Sequence, residues 1–472
     1  MKLPLWKKLV YSAAALLIPL ALLELVLHCF SWESPGEPED PFLGLVGDSR
    51  LFEKDSGQGL YRIRDSRLGF FRPAEFLIEK PADGFRVFVI GGSTVQGRPW
   101  ETETAFSSWL ELAIQSCEPE KTVEVINCGG VSYASYRLRP IVNEVLGYSP
   151  DLIVLCTGHN EYLENRTYHF EKSLPGPLVS GHRLLSSLKS YQWMRSRVFR
   201  MRHGESVRDE LGETVLTRLD YRNGLDRFSE QTLQREAVRE HFRYNIRGMV
   251  RAVQKSDVPM AILAPPSCQR TFPFKPTVDW KPESTSEFGK SSLKELKEAM
   301  KSGKGRADMY YFTALFEQEQ QQYLQARANY DAAIDTDLCP LRMTSTLRQI
   351  LAEVASEEGA SRREGGLLYI DLQQKCAGIS ANRIIDRTLL VDHVHPSVGT
   401  HKRIADWLLQ RLQEESIVAR PEGWQARFQK AADEHQATLD FSYYQRGKDR
   451  LESVLKWSRG QALHPLEDSD PR

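Results

Sequence analysis

The chain has 472 residues, 41% hydrophobic and 26% charged, which is enough for about two to three domains. This composition excludes a fully disordered, collagenous or coiled-coil protein. The 62 basic residues are balanced by 63 acidic ones, which argues against binding to nucleic acid through overall positive charge. The seven cysteines are scattered and none forms a CxxC pair, so the pattern indicates neither a disulfide scaffold nor a zinc site.

An apolar stretch extends from Leu9 to Leu27, and lysines precede it at positions 2, 7 and 8. Its length suits a helix that crosses a membrane, and the lysines predict that the rest of the chain lies outside the cytoplasm. We therefore predict an N-terminal anchor over residues 1–30, in the periplasm or at the cell surface. A cleaved signal peptide would also export the protein, and a buried core helix is the third alternative. Residues 31–80 are predicted as a spacer, since their first half is rich in Pro, Gly, Asp and Glu.

Short apolar runs rich in valine and isoleucine follow, at residues 85–90, 122–127, 151–157, 258–264 and 367–370. Helix-compatible stretches separate them, a pattern typical of a parallel sheet that is buried on both faces. The predicted fold class is α/β: a doubly wound, three-layer sheet of about five strands with flavodoxin-like topology. Ligands of such sheets gather at the carboxyl ends of the strands, so the residues after each run are the candidates for function.

Residues 276–345 interrupt this pattern with a mostly helical insertion. Its part from Met309 to Asp337 resembles one tetratricopeptide repeat, and an ordinary amphipathic hairpin is the alternative. The positions at which that motif places small or aromatic side chains are Ala314, Ala326, Tyr330 and Ala333. Because one repeat cannot bury its own apolar face, we expect the hairpin to dock on the α/β domain, where it could cover the site.

The insertion splits the predicted catalytic domain into residues 81–275 and 346–412, and residues 413–472 form a predicted helical tail. The tail carries no catalytic pattern. Its aromatic and leucine side chains are candidates for docking onto the domain, among them Phe428, Phe441 and Tyr443. Arg342, just after the hairpin, is interpreted as a solvated surface arginine rather than a pocket residue.

Three strand ends carry residues suited to nucleophilic catalysis. Gly91 and Gly92 after the first run allow a tight turn that presents the hydroxyl of Ser93. Asn160 follows the third run, where its amide could stabilise an oxyanion or simply cap a helix. Near the end, Asp392 precedes His395 by three residues, so it could orient the imidazole as a base.

The order of these motifs resembles that of the SGNH/GDSL hydrolase superfamily. Its first block is matched by Gly91-Gly92-Ser93, its third by the tetrapeptide 158–161 and its fifth by residues 392–395, so the resemblance spans residues 85–412 apart from the insertion. Two positions depart from the family pattern: Gly92 and Glu161 each replace an aspartate. In the second block, the glycine whose backbone N–H stabilises the oxyanion aligns near Ser132, with Gly129 and Gly130 as the other candidates.

The resemblance implies that Ser93 is the nucleophile, His395 the base and Asp392 its orienting carboxylate, while Asn160 and backbone N–H groups, at Ser132 or Gly129, bind the oxyanion. It implies no metal and no organic cofactor. The substrate would be an ester of a carbohydrate or a lipid, and no nucleic acid is expected. One alternative is a polysaccharide O-acetyltransferase that uses the same residues. Another is a non-catalytic interaction protein that binds a partner through the helical insertion.

Overall fold

The computed structural model describes residues 50–165, 214–277, 305–359 and 366–467, with isolated positions elsewhere. The chain divides into two units, one of residues 1–49 and 166–212 and the other of residues 50–165 and 213–472. The predicted membrane segment belongs to the first unit, and most of it lies outside the described residues. Within the described part of the chain, no helix is long and apolar enough to cross a membrane.

The second unit contains the regular elements named here in chain order. The strands are β1 (Phe52–Asp55), β2 (Leu60–Ile63), β3 (Glu75–Leu77), β4 (Gly84–Gly91), β5 (Thr122–Gly129), β6 (Leu152–Cys156), β7 (Met260–Ala264) and β8 (Leu367–Asp371). The α-helices are α1 (Ser93–Gln96), α2 (Phe106–Cys117), α3 (Ser135–Leu146), α4 (Glu230–Leu233), α5 (Arg235–Lys255), α6 (Ala307–Glu319), α7 (Tyr323–Thr336), α8 (Ser345–Gly359), α9 (Leu372–Ile379), α10 (Val398–Glu414), α11 (Trp424–Ala437) and α12 (Phe441–Trp457).

The centre of this unit is a five-stranded sheet with the order β5-β4-β6-β7-β8, and each neighbouring pair is parallel. Strands β4, β6 and β7 are almost wholly buried, which explains their continuous apolar sequence. Strand β4 pairs with β5 on one side and with β6 on the other. The topological switch point therefore lies at the carboxyl ends of these strands. The predicted doubly wound α/β fold is confirmed.

Helices cover both faces of this sheet. On one face, α2 and α10 pack together, and their buried side chains share a cluster with alternate residues of the strands, such as Val87, Val154 and Leu263. On the other, α5 packs between α3 and α8. Because successive strand residues point to opposite faces, each of these central strands contributes to both cores.

The prediction of a spacer over residues 31–80 is wrong for residues 50–77. They form an antiparallel sheet, β1-β2-β3, within the same unit as the main sheet. Phe52 and Phe76 are both buried, and the ring of each lies edge-on to Phe88 of β4, with centroids 6.3 and 5.2 Å away. Apolar side chains at alternate positions in this segment, rather than its overall polar composition, decide its structure.

The part of the insertion that the structure describes forms the helix pair α6 and α7. The four positions singled out in the sequence, Ala314, Ala326, Tyr330 and Ala333, are all buried. The pair docks on the α/β unit, where Tyr330 packs with Ile384 and the Tyr311 hydroxyl donates to the carbonyl of Arg270 at 3.0 Å. The observed structure is a docked helical hairpin, and its assignment as a tetratricopeptide repeat stays a hypothesis.

The C-terminal helices α11 and α12 also pack on this unit. Phe428 and Tyr443 are buried, as the docking prediction requires, whereas Phe441 is exposed. The Tyr443 hydroxyl bonds to the Thr104 hydroxyl at 2.8 Å. After α12 the chain returns to residues 220–222, where Leu466 donates to the Asp220 carbonyl and accepts from the Arg222 N–H.

Candidate active site

Ser93 lies at the carboxyl end of β4, where two glycines make a very close approach possible. A Cβ at position 91 would stand 2.2 Å from the carbonyl oxygen of Cys156, and one at position 92 would stand 2.6 Å from Nδ2 of Asn160. Any side chain at either position would force its neighbours apart. Helix α1 begins at Ser93 directly after this turn, so the hydroxyl is held at the edge of the sheet.

Ser93, His395 and Asp392 form a continuous chain of hydrogen bonds. The Ser93 Oγ lies 2.8 Å from His395 Nε2, and His395 Nδ1 lies 2.6 Å from Asp392 Oδ2. Since a carboxylate can only accept, Nδ1 carries the proton and Nε2 is left to accept the proton of the serine hydroxyl. The structure thus brings together three residues from two distant parts of the sequence.

The loop that carries Asp392 and His395 is organised by the carboxylate itself. Its Oδ1 accepts the backbone N–H groups of Val394 and His395, both at 2.8 Å. The side chain is completely buried, which by itself would raise its pKa, but the neighbouring His395 and His393 and these hydrogen bonds outweigh burial and hold the pKa of Asp392 well below its usual range. Asp392 is therefore a carboxylate at neutral pH.

Two other histidines lie beside the site, and their surroundings differ from those of His395. Burial lowers the pKa of His393 to about 4, and its Nδ1 is 3.7 Å from Asp392 Oδ1. Burial also holds the pKa of His159 well below its usual range, and Nδ1 of this residue accepts the N–H of Met343 at 3.1 Å. Both are neutral near pH 7, and of the three only His395 bonds to the Ser93 hydroxyl in the described structure.

Asn160 lies at the switch point, opposite Ser93. Its Nδ2 donates to the carbonyl of Tyr133 at 3.0 Å, which fixes the orientation of the amide. An amide NH2 has two donors, so the second remains for a ligand. Both Asn160 and Ser93 line the same cavity.

The structure corrects the prediction for the second oxyanion donor at Gly129. The N–H of Gly129 donates to Asn127 Oδ1, and that of Gly130 to the Gly91 carbonyl, both at 2.9 Å, so neither faces a substrate. Ser132 instead lines the cavity and has a φ of +62°, in the left-handed region that favours glycine. In the described structure the N–H groups of Ser132 and Ser93 make no hydrogen bond, so both are available.

Glu161, which departs from the family pattern, has a clear structural role. It is completely buried, and its carboxylate accepts the backbone N–H of Ser135 at 2.7 Å and the Ser135 hydroxyl at 3.0 Å. Since Ser135 begins α3, the negative charge lies at the positive end of that helix. The longer side chain thus ties the turn that follows β6, and with it Asn160, to α3.

The candidate triad opens onto a cavity of about 500 Å³. Its walls are mainly apolar and include Phe70, Leu163, Val215, Val454 and Trp457. The helical insertion of residues 276–345 contributes Leu341 to the lining, but neither α6 nor α7 does so in the described structure. More of the lining comes from α12 and the segment 462–466. The reason is that α12 packs against Trp100, close to the turn that carries Ser93.

Part of the cavity wall was therefore not predicted from the sequence. Val454, Trp457 and Leu466 lie in a tail without a catalytic pattern, and Phe70 lies in the predicted spacer, so no local signal marked them. Arg98, which also lines the cavity, is different: a basic residue five positions after the candidate nucleophile could have been noticed. Within the described residues, no cluster of three His, Cys, Asp or Glu side chains could hold a metal ion.

No protein-family model matches the chain, and no curated protein matches it. Its structure is similar to an acetyl-xylooligosaccharide esterase from Geobacillus, Axe2 in a mutant form (14% identity, TM-score 0.34, covering 73% of this chain and 99% of that one). It is also similar to a lipase/acylhydrolase from Enterococcus faecalis (13% identity, TM-score 0.33, covering 72% of this chain and 98% of that one). A third similar structure is LAE5, an alpha/beta hydrolase from the metagenome of Lake Arreo (14% identity, TM-score 0.32, covering 71% of this chain and 96% of that one). Likenesses this low establish no shared activity.

Proposed function

We propose that this protein is a serine hydrolase that cleaves carboxylic esters through an acyl-serine intermediate. The observation that carries the proposal is the chain of hydrogen bonds from Ser93 through His395 to Asp392, at the edge of a cavity large enough for a substrate. A serine hydroxyl is a weak nucleophile by itself, and an adjacent oriented base is what activates it.

In the proposed reaction, Ser93 Oγ attacks the ester carbonyl carbon while its proton passes to His395 Nε2. Asp392 stabilises the imidazolium that forms, without taking its proton. The tetrahedral intermediate collapses as the C–O bond to the alcohol breaks, and His395 returns the proton to the departing oxygen. Water then attacks the acyl-serine by the same steps, which releases the acid and restores Ser93.

The negative charge on the carbonyl oxygen would be stabilised by three donors: the Asn160 amide and the N–H groups of Ser93 and Ser132. Donors that are oriented before the reaction contribute most, because no reorganisation is needed when the charge develops. The bond from Asn160 to Tyr133 and the pairing of Glu161 with α3 supply this orientation.

The mainly apolar cavity favours esters with an apolar acyl or alcohol part, which within the predicted substrates favours a lipid ester over a short ester of a carbohydrate. An O-acetyltransferase would use the same residues. Adding an acceptor oligosaccharide to the hydrolysis assay separates the two: a hydrolase continues to release free acid, whereas a transferase diverts the acyl group to the sugar.

The direct test is hydrolysis of phenyl butyrate by the wild-type protein and Ser93→Ala. We expect the variant to lose nearly all activity, and we expect a fluorophosphonate reagent to label only proteins that retain Ser93. Ser256→Ala is the matched control, since this exposed serine lies at the end of α5, at the opposite edge of the sheet. Equal rates for wild type and Ser93→Ala would refute the proposal.

The interaction function is the less supported alternative. A docking hairpin would have to present an apolar face, but most apolar side chains of α6 and α7 are buried or partly buried. Of the large hydrophobic residues in these two helices, Leu324 is the one that is mostly exposed in the described structure. Location outside the cytoplasm rests on the predicted anchor, and protease accessibility in intact cells would test it.

A further inference from the structure

Arg98 is fixed close to the candidate nucleophile by the backbone. Its N–H donates to the carbonyl of Ser93 at 3.1 Å, across the turn that ends α1. Gly97 makes this turn possible: its φ is +97°, and a Cβ there would stand 2.8 Å from the carbonyl oxygen of Glu101. Arg98 thus lines the same cavity as Ser93, on a short, tightly packed segment.

The Arg98 side chain has no acidic partner. Among the described residues, its one side-chain hydrogen bond runs from Nε to the neutral Oε1 of Gln96, at 3.2 Å, and no carboxylate lies within ion-pair distance. Burial, reinforced by the like charges of Arg72 and Arg450, lowers the pKa of Arg98 to about 10, so the group remains a cation at neutral pH. A partly buried cation without a counter-charge is costly unless an anion reaches it.

Glu101, three residues after Arg98, is engaged with two other arginines. Glu101 pairs with Arg450 and Arg446 on the outer side of the segment, and of these residues only Arg98 lines the cavity. Within the described residues, the mainly apolar wall therefore carries one arginine. The one carboxylate that also lines it there beside the triad, Asp220, accepts the Trp457 indole N–H and the Thr217 backbone N–H, and the charges that act on Arg98 are those of Arg72 and Arg450. A planar guanidinium with free N–H groups suits carboxylate and phosphate oxygens.

We propose that Arg98 binds an anionic group, a carboxylate or a phosphate, on the ester that reacts at Ser93. The substrate is then an amphiphile, with an apolar part against the cavity wall and an anion at Arg98. This inference rests on the proposed ester hydrolysis and adds the charge of the substrate. It makes Arg98 a residue that determines specificity.

The kinetic test uses three esters that differ in charge: neutral phenyl butyrate, 3-(butanoyloxy)benzoate with the anion on the alcohol side, and monophenyl succinate with the anion on the acyl side. We expect the wild-type protein to favour one of the anionic esters. Arg98→Gln should raise KM for that ester by roughly 10- to 100-fold, the range for loss of a hydrogen bond between charged groups, and change kcat/KM for phenyl butyrate by less than about 3-fold.

Arg98→Lys keeps the charge and should recover part of the loss. Arg446→Gln removes a neighbouring charge outside the cavity and should leave KM unchanged for all three esters. If Arg98→Gln impairs neutral and anionic esters equally, the residue only supports the turn, and the proposal is overturned. The proposal is also overturned if the wild-type protein hydrolyses phenyl butyrate but prefers neither of the anionic esters.

A binding measurement separates failure of this inference from failure of the proposed hydrolysis. Calorimetry with octanoate, octyl phosphate and octanol needs no turnover. Tighter binding of either anion than of octanol, abolished in Arg98→Gln, supports the anion site even if no ester is cleaved, and the better of the two anions identifies the group. Equal binding of all three ligands overturns the inference.

Discussion

The Asp392–His395 pair shows how a single buried carboxylate can perform several tasks. One oxygen organises the loop by accepting two backbone N–H groups, and the other accepts the imidazole N–H. The low pKa of Asp392 keeps the group ionised and hence able to accept all three bonds. Loop geometry and imidazole tautomer therefore depend on the same charge.

Asp392→Asn should consequently lower kcat for ester hydrolysis on the order of 10³- to 10⁴-fold, because the amide NH2 turns the imidazole toward the tautomer with Nε2 protonated. The measurement is kcat for phenyl butyrate, with circular dichroism to check folding. Asp386→Asn is the control: this aspartate lies on the same loop, and its side chain bonds only to Thr388 in the described structure. Similar losses in both variants would contradict the assigned role.

His401 predicts a dependence of stability on pH. Burial lowers its pKa to about 3, and its Nδ1 accepts the N–H of Phe106 in the core between α2 and α10. Below about pH 6.5 this residue becomes protonated in the unfolded chain but stays neutral in the folded protein. The free energy of unfolding therefore falls as the pH drops from 6.5 toward 3. Above pH 6.5 both states are neutral and the residue contributes no pH dependence.

His401→Asn keeps an acceptor for Phe106 and cannot titrate. Between pH 7 and pH 5, we expect the wild-type protein to lose about 2 kcal/mol more of its unfolding free energy than the variant. Urea denaturation at the two pH values measures this difference. Parallel losses in the two proteins would show that His401 does not contribute to acid destabilisation.

Among the elements, α12 is the one whose position most directly shapes the cavity. It contributes Ser453, Val454 and Trp457 to the lining, and the indole N–H of Trp457 donates to Asp220 at 2.8 Å. Its close packing depends on Gly447, where a Cβ would stand 2.0 Å from the ring of Trp100.

Gly447→Ala should therefore displace α12 or turn Trp100. We expect a loss of about 1–3 kcal/mol in unfolding free energy, typical of overpacking, and a larger loss of kcat/KM for esters with long acyl chains than for short ones. Gly399→Ala in α10 is the matched control, because no heavy atom lies within 4 Å of its Cβ position. That change should be neutral or stabilising by up to about 1 kcal/mol. Equal Tm values for both variants would refute tight packing at Gly447.

For the whole molecule, the antiparallel sheet β1-β2-β3 is part of the folded core rather than a linker. Phe76 of β3 contacts Phe52, Phe88 and Tyr148, with ring centroids 5.1, 5.2 and 5.3 Å apart. Aromatic pairs at these distances and angles contribute beyond the area they bury.

Phe76→Ala should therefore lower the unfolding free energy of the unit by about 3–5 kcal/mol. Leu77→Ala, on the exposed side of the same strand, should cost far less. Urea unfolding curves for both variants provide the measurement. If Phe76→Ala left the main transition unchanged, residues 50–77 would be an independent segment.

The sequence by itself determined the α/β class, the five strands of the main sheet and the positions of Ser93, Asn160, Asp392 and His395 at their ends. It could do so because strands buried on both faces leave continuous apolar runs, and because parallel strands bring their carboxyl ends to one edge. The hairpin was also predictable, since small residues at helical spacing allow two helices to pack closely.

Only the tertiary structure decided which N–H groups beside the cavity are left without a hydrogen bond among the described residues, and that α12 rather than the hairpin lines it. It also decided that Arg342, predicted as a surface residue, is buried against the carbonyls of Cys268 and Thr271. These features depend on contacts between segments far apart in the chain. Local sequence records the propensity of a segment, whereas the orientation of an N–H group or the burial of an arginine depends on what packs against it.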